Sequence, residues 1–282
     1  MTAEKTAMQA EEFRLFKEHV AESLGLVLEE GSRRNLAAKL WPRLEELRLK
    51  SFTEYYCYLK FSPGREAEWQ RLVPLLTNNE TYFYREAAQL SVLAQEVLPA
   101  LKERKTARGE RAIRILSAGC SSGEEVYTLA MLLLESGCFS WDWDVRITGV
   151  DIDTRVLDAA RQGLYAQRAF WAADPELVRR YLTPHGDKLA VRPILRKWTC
   201  FAEGNLLDLR ERLAGERFDV ILCRNVLIYF AEETVKRVVD NFTALQASGD
   251  YLFLGHSESL SRTGASYVPL RFPGAIIYQK RT

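Results

Sequence analysis

The fold is decided by residues 113–125, which read Ile-Arg-Ile-Leu-Ser-Ala-Gly-Cys-Ser-Ser-Gly-Glu-Glu. The stretch begins with an apolar run, which is typical of a buried parallel strand. It continues into a turn that contains Gly119 and Gly123, after which apolar residues return at helical spacing. In α/β sheets, a strand, a glycine turn and a helix bring bare backbone and a helix N-terminus up to a ligand. We therefore predict a ligand site at this turn.

A second predicted strand ends in an acidic residue. Residues 147–151 read Ile-Thr-Gly-Val-Asp, so that Asp151 follows the apolar run. An acid at this place is suited to binding the hydroxyl groups of a ribose. Asp151 could equally cap the helix that follows, together with Asp153.

The residues of the glycine turn restrict the ligand. A dinucleotide-binding turn has the pattern G-x-G-x-x-G, of which only Gly119 and Gly123 are present, and no Gly-Lys-Ser/Thr of a P-loop follows. Glu124 and Glu125 would repel a pyrophosphate but suit a cationic ligand, such as the sulfonium and α-amino groups of S-adenosylmethionine. The alternative is an ordinary turn before a helix, because glutamate in the first turn stabilises a helix in any case.

Composition excludes several classes of protein. The 282 residues are 47% hydrophobic, which is enough for a full core and two domains. The net charge of +1 supports neither nucleic-acid binding nor membrane binding. There is no apolar run of about 18 residues. The five cysteines lack a C-x-x-C pair and the three histidines are dispersed. We therefore expect no disulfide framework, no metal site and a cytoplasmic protein.

The pattern of the chain changes near residue 113. Residues 1–75 read as helices, with a capping box at Ser51–Glu54 and with Pro42 expected to kink or restart the second helix. Residues 33–50 carry six basic and two acidic residues, which indicates either a solvated helix face or a docking surface for an acidic partner. From residue 113 onward the chain alternates strands with helices, which predicts a parallel sheet covered by helices. The predicted strands are 113–118, 145–150, 218–223, 250–254 and 275–280, and the predicted helices lie near 123–136, 153–162 and 231–246. Residues 164–200 interrupt this alternation and are expected to form a small accessory lobe.

Several segments, in the right order and over nearly the whole chain, resemble the chemotaxis receptor glutamate methyltransferases of the CheR family. They are residues 77–86, 117–125, 149–153, 204–208, 218–230 and 255–258, and the run Cys-Arg-Asn-Val-Leu-Ile-Tyr-Phe at 223–230 is the most specific. The resemblance implies a class I methyltransferase fold. This is a doubly wound, mostly parallel seven-stranded α/β sheet with a last antiparallel strand, a small inserted accessory β lobe and an all-α N-terminal domain.

The same resemblance implies the reaction. S-Adenosyl-L-methionine is the methyl donor, S-adenosyl-L-homocysteine is the product, and the substrates are glutamate carboxylates on the signalling domain of methyl-accepting chemoreceptors. Arg85 and Tyr229 are the implied catalytic residues: Arg85 orients the substrate carboxylate, and Tyr229 faces the transferred methyl group beside it. Glu124 or Glu125, with Glu125 favoured, holds the methionine moiety, and Asp151 binds the ribose. The other implied cofactor contacts are Asn79, Thr81 and Arg85 in the linker and Gly119 in the glycine turn. Asn205 and Leu206 are implied beside the adenine, and Arg224 and Asn225 at the methionine end.

Each assignment has a structural alternative. Arg85 could be a surface residue paired with Glu86. Tyr229 could be a core aromatic. Arg224 and Asn225 could cap the next helix. Cys120 and Cys223 are expected to be buried small hydrophobes rather than nucleophiles.

Domain bounds and partners complete the expectations. Residues 1–76 are expected to dock on the receptor, residues 77–110 to form a linker and a first helix at the cofactor site, and residues 111–282 to form the methyltransferase domain, with the accessory lobe at about 164–200. In the family that this chain resembles, members that tether to a receptor's C-terminal pentapeptide carry a glycine-containing loop in the accessory lobe that is a few residues longer. Here the corresponding segment Leu182–Lys188 is shorter and has Gly186 as its only glycine. This departure leads us to expect direct docking without the pentapeptide tether, and we expect a monomer.

Two other functions fit parts of the pattern. One is a class I methyltransferase that acts on nucleic acid or on a small molecule, although residues 223–226 lack the Asn/Asp-Pro-Pro-aromatic site of amino-methylating enzymes. The other is a non-catalytic adaptor that binds S-adenosylmethionine. The presence of both Arg85 and Tyr229 favours the enzyme.

Overall fold

The computed structural model describes residues 7–261, 263 and 266–281. These residues form two compact units. The first extends to Asn78 and also includes Tyr229–Ala231, and the second contains Asn79–Ile228 and the chain from Glu232 onward.

The first unit is helical. Its buried core joins apolar side chains from all of its helices, among them Phe13 and Phe16 of the first helix and Leu40 and Leu44 of the second. Phe16 lies within 5.8 Å of Tyr55, ring centroid to ring centroid. The helices are α1 (Ala10–Leu24), α2 (Arg33–Glu46), α3 (Phe52–Phe61) and α4 (Arg65–Leu76).

Two local predictions about these helices have different outcomes. The start of α3 is confirmed, because the Ser51 side chain accepts a hydrogen bond from the Glu54 N–H group. The restart expected at Pro42 is wrong, because α2 continues through it. A proline inside a helix costs about 3 kcal/mol. Leu36, Leu40 and Leu44 of α2 are buried, and each contributes about 1.5–3 kcal/mol. Together they outweigh the cost of the proline.

The second unit is built on a seven-stranded sheet with the order β6-β2-β1-β7-β8-β10-β9. The first five strands in this order pair in parallel, and β10 is antiparallel to both of its neighbours. This is the predicted class I methyltransferase sheet, with a last antiparallel strand. The ten strands are β1 (Ala112–Ala118), β2 (Asp144–Asp151), β3 (Leu164–Ala166), β4 (Leu182–His185), β5 (Lys188–Val191), β6 (Thr199–Glu203), β7 (Val220–Cys223), β8 (Tyr251–Leu254), β9 (Tyr267–Phe272) and β10 (Ala275–Lys280).

Helices surround this sheet, and the three predicted after residue 113 are present within two residues of their expected ends. α5 and α6 are joined by a π-helical turn at Leu93–Val97. The helices are α5 (Ala87–Val92), α6 (Leu98–Ala107), α7 (Glu124–Glu135), α8 (Thr154–Gln162), α9 (Pro175–Tyr181), α10 (Pro193–Arg196), α11 (Leu209–Arg212) and α12 (Glu232–Leu245).

The accessory lobe contains a separate antiparallel sheet. Its three strands have the order β3-β5-β4, and α9 lies between β3 and β4 in the chain. β4 and β5 form a tight hairpin whose turn holds Gly186 at φ +60°. The predicted inserted β lobe is therefore confirmed.

Candidate active site

The glycine turn joins β1 to α7 and permits close approach of other groups to its backbone. Gly119 and Gly123 have φ values of +79° and +91°, which side chains disfavour. A Cβ atom on Gly119 would lie 2.6 Å from Val226 Cγ2, and one on Gly123 would lie 2.8 Å from the Ala160 Cβ. Both positions therefore require glycine.

Asp151, at the end of β2, holds this turn in place. Its Oδ2 accepts the Ser121 N–H at 2.8 Å, and its Oδ1 accepts the Asp153 N–H at 3.0 Å. Burial raises the pKa of Asp151, although these bonds act in the opposite direction. The cap of α8 is Asp153, whose Oδ1 accepts the Arg155 N–H at 2.9 Å. A carboxylate has about four acceptor positions, so Asp151 retains capacity for hydroxyl donors.

The segment that begins at Asn79 lies against the same turn. The Asn79 side-chain amide donates to Asp153 Oδ2 at 2.9 Å, and its backbone carbonyl accepts the Ser121 hydroxyl at 3.0 Å. The structure thus brings Asn79 and Asp151 together, as expected for residues of one site. Thr81, two residues on, is half-buried.

The two glutamates that open α7 differ in their surroundings. Glu124 is buried beside Ser122, whose hydroxyl lies 2.8 Å from Glu124 Oε2, and burial raises the pKa of Glu124. Glu125 accepts the Ser117 hydroxyl and Arg224 Nε, both at 2.6 Å. Glu125 is therefore the member of the pair that contacts another expected site residue. The preference for Glu125 over Glu124 stays a prediction.

Arg224 connects the end of β7 to the segment around Arg85. It is buried, and its Nη1 donates to the Arg85 backbone carbonyl at 2.8 Å. The Arg85 guanidinium itself donates to the Glu80 carbonyl at 2.8 Å and lies 5.6 Å from the centre of the Tyr82 ring.

Among the residues that the structure describes, the Glu86 side chain contacts His256, Asn225 and Arg224, and not Arg85, the partner in the alternative expectation of a surface pair. Its Oε1 lies 3.0 Å from His256 Nδ1 and 3.4 Å from Asn225 Nδ2, and its Oε2 lies 3.8 Å from Arg224 Nη1. Burial acts to raise the pKa of Glu86, but the His256 hydrogen bond and the Arg224 charge outweigh it and lower the pKa. Glu86 is thus a carboxylate of the site that sequence reasoning considered only as a surface partner.

Glu258 is the second residue whose role the sequence did not reveal. Its Oε2 accepts the N–H groups of Gly255 at 2.6 Å and Asn225 at 3.0 Å, and its Oε1 accepts those of Val226 at 2.9 Å and Ile228 at 3.2 Å. The carboxylate of the half-buried Glu258 therefore fixes the loop that follows β7. The only signal in the sequence is the Gly-His-Ser-Glu segment at 255–258, which carries no role by itself.

Asn205 and Leu206 follow β6, the strand beside β2. The Gly204 N–H donates to the Asp151 backbone carbonyl at 3.0 Å, which places this loop next to Asp151. The Asn205 side chain accepts the Leu207 N–H at 3.1 Å, and Leu206 is buried.

Tyr229 belongs to the helical unit. Its hydroxyl accepts the Asn78 side-chain amide at 2.9 Å, and the residue is 36% exposed. The alternative of a buried core aromatic is therefore wrong, and the role of Tyr229 beside Arg85 stays a prediction.

Cys120 and Cys223 are fully buried near the ends of β1 and β7, and burial raises the pKa of both thiols well above its usual value. Because the thiolate is the nucleophilic form, both cysteines are packing residues, as expected.

The site lies at the carboxyl ends of β6, β2, β1 and β7, and its chemistry fits a cationic nucleoside. Within the described part of the chain, Glu86 Oε2 and Asn225 Oδ1 are buried without a hydrogen-bond partner. Buried acceptors are normally satisfied, so both atoms suit a ligand that carries N–H donors. The carboxylates of Asp151 and Glu125 suit hydroxyl and ammonium groups in the same way.

The described residues contain no group of three or more His, Cys, Asp and Glu residues that could hold a metal ion. In the same residues, no helix combines the length and the apolar character needed to cross a membrane.

Comparison with known proteins gives matches over nearly the whole chain. Residues 79–270 match the family described as "CheR methyltransferase, SAM binding domain", and residues 11–77 match "CheR methyltransferase, all-alpha domain". The chain is 34% identical to "Chemotaxis protein methyltransferase 2" of Vibrio cholerae, over 95% of this chain and 92% of that protein. It is 35% identical to "Chemotaxis protein methyltransferase" of Borreliella burgdorferi, over 86% and 85%. It is 38% identical to "Chemotaxis protein methyltransferase 2" of Pseudomonas aeruginosa, over 88% and 86%.

Proposed function

Because this chain belongs to the CheR methyltransferase family, we propose that it transfers the methyl group of S-adenosylmethionine to glutamate side chains of a chemoreceptor signalling domain, forming methyl esters. The observation that carries the proposal is the set of acceptor groups at the carboxyl ends of the central strands. The carboxylates of Asp151, Glu125 and Glu86 converge there with the Asn225 side-chain oxygen, and Glu86 Oε2 and Asn225 Oδ1 have no hydrogen-bond partner within the described residues. Such a set favours a cationic nucleoside over a phosphate.

The residues that would hold the cofactor follow from these contacts. Asp151 would bind the ribose hydroxyls, and Asn205 and Leu206 would lie beside the adenine. Glu125, held by Arg224 at 2.6 Å, would bind the methionine moiety. The remaining residues of the proposed site are Asn79, Thr81, Arg85, Gly119, Glu124, Arg224 and Asn225.

The reaction requires positioning more than acid–base chemistry. When bound, S-adenosylmethionine supplies a methyl group whose C–S bond breaks as a carboxylate oxygen forms the ester, and a neutral thioether leaves. The glutamate carboxylate is already ionised at pH 7, so that the chain needs no general base. Holding the reacting groups in line can lower the barrier by about 7–11 kcal/mol at best.

We assign that positioning to Arg85 and Tyr229. The Arg85 backbone is held by Arg224, and its guanidinium is engaged by the Glu80 carbonyl and the Tyr82 ring, which supports a fixed orientation. Arg85 would orient the substrate carboxylate through one hydrogen bond, because a bidentate ion pair would weaken the nucleophile. Tyr229 would face the transferred methyl group.

The partner of the enzyme would be the receptor signalling domain, bound directly by the all-α residues 1–76. On α2, Arg33 and Arg34 are exposed, whereas Arg43 is paired with Glu68 at 2.7 Å. The exposed arginines support electrostatic attraction to an acidic surface. Residues 77–110 would be the linker and first helix, and residues 111–282 the methyltransferase domain.

The tight β4–β5 hairpin of the accessory lobe, at about 164–200, supports binding without a pentapeptide tether. Micromolar affinity for an isolated receptor C-terminal pentapeptide would contradict this part of the proposal. The enzyme would act as a monomer, which sedimentation can test.

The reaction is tested by incubating the chain with methyl-labelled S-adenosylmethionine and a receptor signalling fragment. We expect label on the receptor that alkali releases, because methyl esters are labile to base. Arg85→Ala should lose most of the transfer while S-adenosylhomocysteine affinity changes little, because the Arg85 guanidinium is assigned to the substrate carboxylate and the other proposed cofactor contacts remain. Tight cofactor binding by the unmodified chain without any transfer to the receptor would contradict the proposal and indicate an adaptor.

A further inference from the structure

An exposed tryptophan lies beside the proposed reaction centre. Trp171 follows β3 in the accessory lobe and is 71% exposed. Its ring nevertheless has a partner, since the Tyr82 ring lies 4.8 Å away, centroid to centroid, at a tilt of 43°.

The position of this aromatic pair is fixed by the layer beneath it. Phe83 is fully buried, its ring is stacked on Phe170 at 4.3 Å, and its N–H group donates to the Ala169 carbonyl at 2.9 Å. The neighbours of these residues in the chain, Tyr82 and Trp171, are thereby held side by side at the surface.

The same layer reaches the glycine turn. Phe83 contacts Tyr165 edge to face at 4.9 Å, and the Tyr165 hydroxyl donates to the Ser122 carbonyl at 2.6 Å. The aromatic pair is therefore connected through packed rings to the backbone that would hold the cofactor.

Arg85, the residue proposed to orient the substrate carboxylate, adjoins this pair, because its guanidinium lies 5.6 Å from the centre of the Tyr82 ring. We name these three residues, Trp171, Tyr82 and Arg85, the aromatic shelf. Tryptophan, tyrosine and arginine are the residue types that contribute most to binding energy in protein interfaces.

We propose that the aromatic shelf is the docking surface for the receptor helix that carries the methyl-accepting glutamate. The inference rests on the proposed function and names the part of the site that recognises its substrate. A glutamate carboxylate complements the charge of Arg85. Residues three or four positions away on the same face of the helix then pack their aliphatic parts on Tyr82 and Trp171.

The shelf is small enough for one face of a helix to cover. Residues three or four positions apart on a helix have Cβ atoms about 5–6 Å apart. In the shelf, Arg85 Cζ lies 5.6 Å from the centre of the Tyr82 ring, and the ring centres of Tyr82 and Trp171 are 4.8 Å apart. A helix that places its glutamate at Arg85 therefore has further contacts one turn away.

The test compares two exposed tryptophans of the same unit. Trp141 is 97% exposed and precedes β2, at the amino end of the strands and thus at the opposite edge of the sheet from the site. In labelled-methyl transfer to a receptor signalling fragment, we expect Trp171→Ala to raise KM for the fragment about tenfold. Trp171→Phe should restore most of the loss, and Trp141→Ala should match the unmodified chain.

Affinity for S-adenosylhomocysteine is measured by calorimetry and should be equal in the unmodified chain and the three variants. Equal affinity shows that the variants are folded. A KM in Trp171→Ala equal to that of Trp141→Ala would overturn the shelf while leaving the proposed function intact. Absence of transfer by the unmodified chain would overturn the proposed function and the occupant of the shelf with it.

Discussion

At the scale of single residues, the carboxylate of Asp151 has two tasks. It holds the glycine turn through two backbone N–H groups and retains acceptor capacity for a ribose. In Asp151→Asn, the amide presents N–H donors where acceptors are needed. We expect S-adenosylhomocysteine affinity to fall at least about tenfold, because a hydrogen bond to a charged group contributes about 1.5–3 kcal/mol.

Calorimetry measures this change, and Asp158→Asn is its control. Asp158 is an exposed residue of α8 that pairs with Arg161, so that its loss should leave affinity unaltered. Equal affinities in Asp151→Asn and Asp158→Asn would reject the role of Asp151.

Glu258 provides the second prediction at this scale. Glu258→Gln replaces one acceptor oxygen by an NH2 group that faces backbone donors, and we expect a loss of about 1–3 kcal/mol in the free energy of unfolding. Denaturant titration measures it, with the exposed Glu233→Gln on α12 as the control. Because the loop carries Asn225, methyl transfer should fall as well. Unchanged stability and transfer would show that the four backbone contacts are dispensable.

At the scale of elements, replacement by alanine should cost more stability in the glycine turn between β1 and α7 than in the β4–β5 hairpin. Gly119 and Gly186 both have positive φ, for which alanine costs about 1–2 kcal/mol. A methyl group added at Gly186 would have no atom of the described residues within 4 Å, whereas one added at Gly119 would meet Val226 at 2.6 Å. Val226 is stiff and held by Glu258, so it cannot move aside cheaply.

Gly119→Ala should therefore lower the free energy of unfolding by clearly more than Gly186→Ala does, and it alone should weaken S-adenosylhomocysteine binding. Denaturant titration and calorimetry of the two variants give both quantities. Equal losses of stability would mean that the turn tolerates a side chain.

The helical unit predicts a dependence of stability on pH. His19 lies 5.1 Å from Trp69 and 5.6 Å from Tyr56, ring to ring. Burial, assisted by the charge of Lys60, lowers the pKa of His19 below its usual 6.5, against a weaker effect of Glu22. The unfolded chain then binds the proton more readily, so that stability is lost as the pH falls through 6.5 towards the folded pKa.

The denaturant concentration at the unfolding midpoint of the unmodified chain should therefore decrease when the pH is lowered from about 7.5 to about 5.5. His19→Phe should lose less over the same range, and the exposed His185→Gln should behave like the unmodified chain. A midpoint in His19→Phe that changes with pH as the unmodified chain does would exclude His19 as the cause.

Local signals explain which elements the sequence predicted. β1, the glycine turn and α7 follow from an apolar run, two glycines and helical spacing, and β10 matches its expected bounds, Ala275–Lys280. β9 did not stand out, because Pro269 interrupts its pattern, and a proline is tolerated there only because β9 is an edge strand. The contacts of Glu86 and Glu258 with the loop that follows β7 could not be predicted, since that loop is at least 30 residues away in sequence and only the fold brings the groups together.

At the scale of the whole molecule, two functional expectations depend on different units of the chain. The proposed cofactor contacts belong to the unit that begins at Asn79, whereas Tyr229 and the exposed arginines of α2 belong to the helical unit. Substitution of Asp151 should change cofactor affinity, whereas substitutions at Arg33 and Arg34 should leave it unaltered and change KM for the receptor fragment, most strongly at low salt.

The proposed acceptor of the methyl group is a side-chain carboxylate of a receptor glutamate. Mass spectrometry of a receptor signalling fragment, after incubation with the chain and S-adenosylmethionine, identifies the acceptor. We expect methyl groups on glutamate side chains, which are absent after alkaline treatment and strongly reduced with Arg85→Ala. An unmodified fragment, or alkali-stable methyl groups on other residue types, would contradict the proposal.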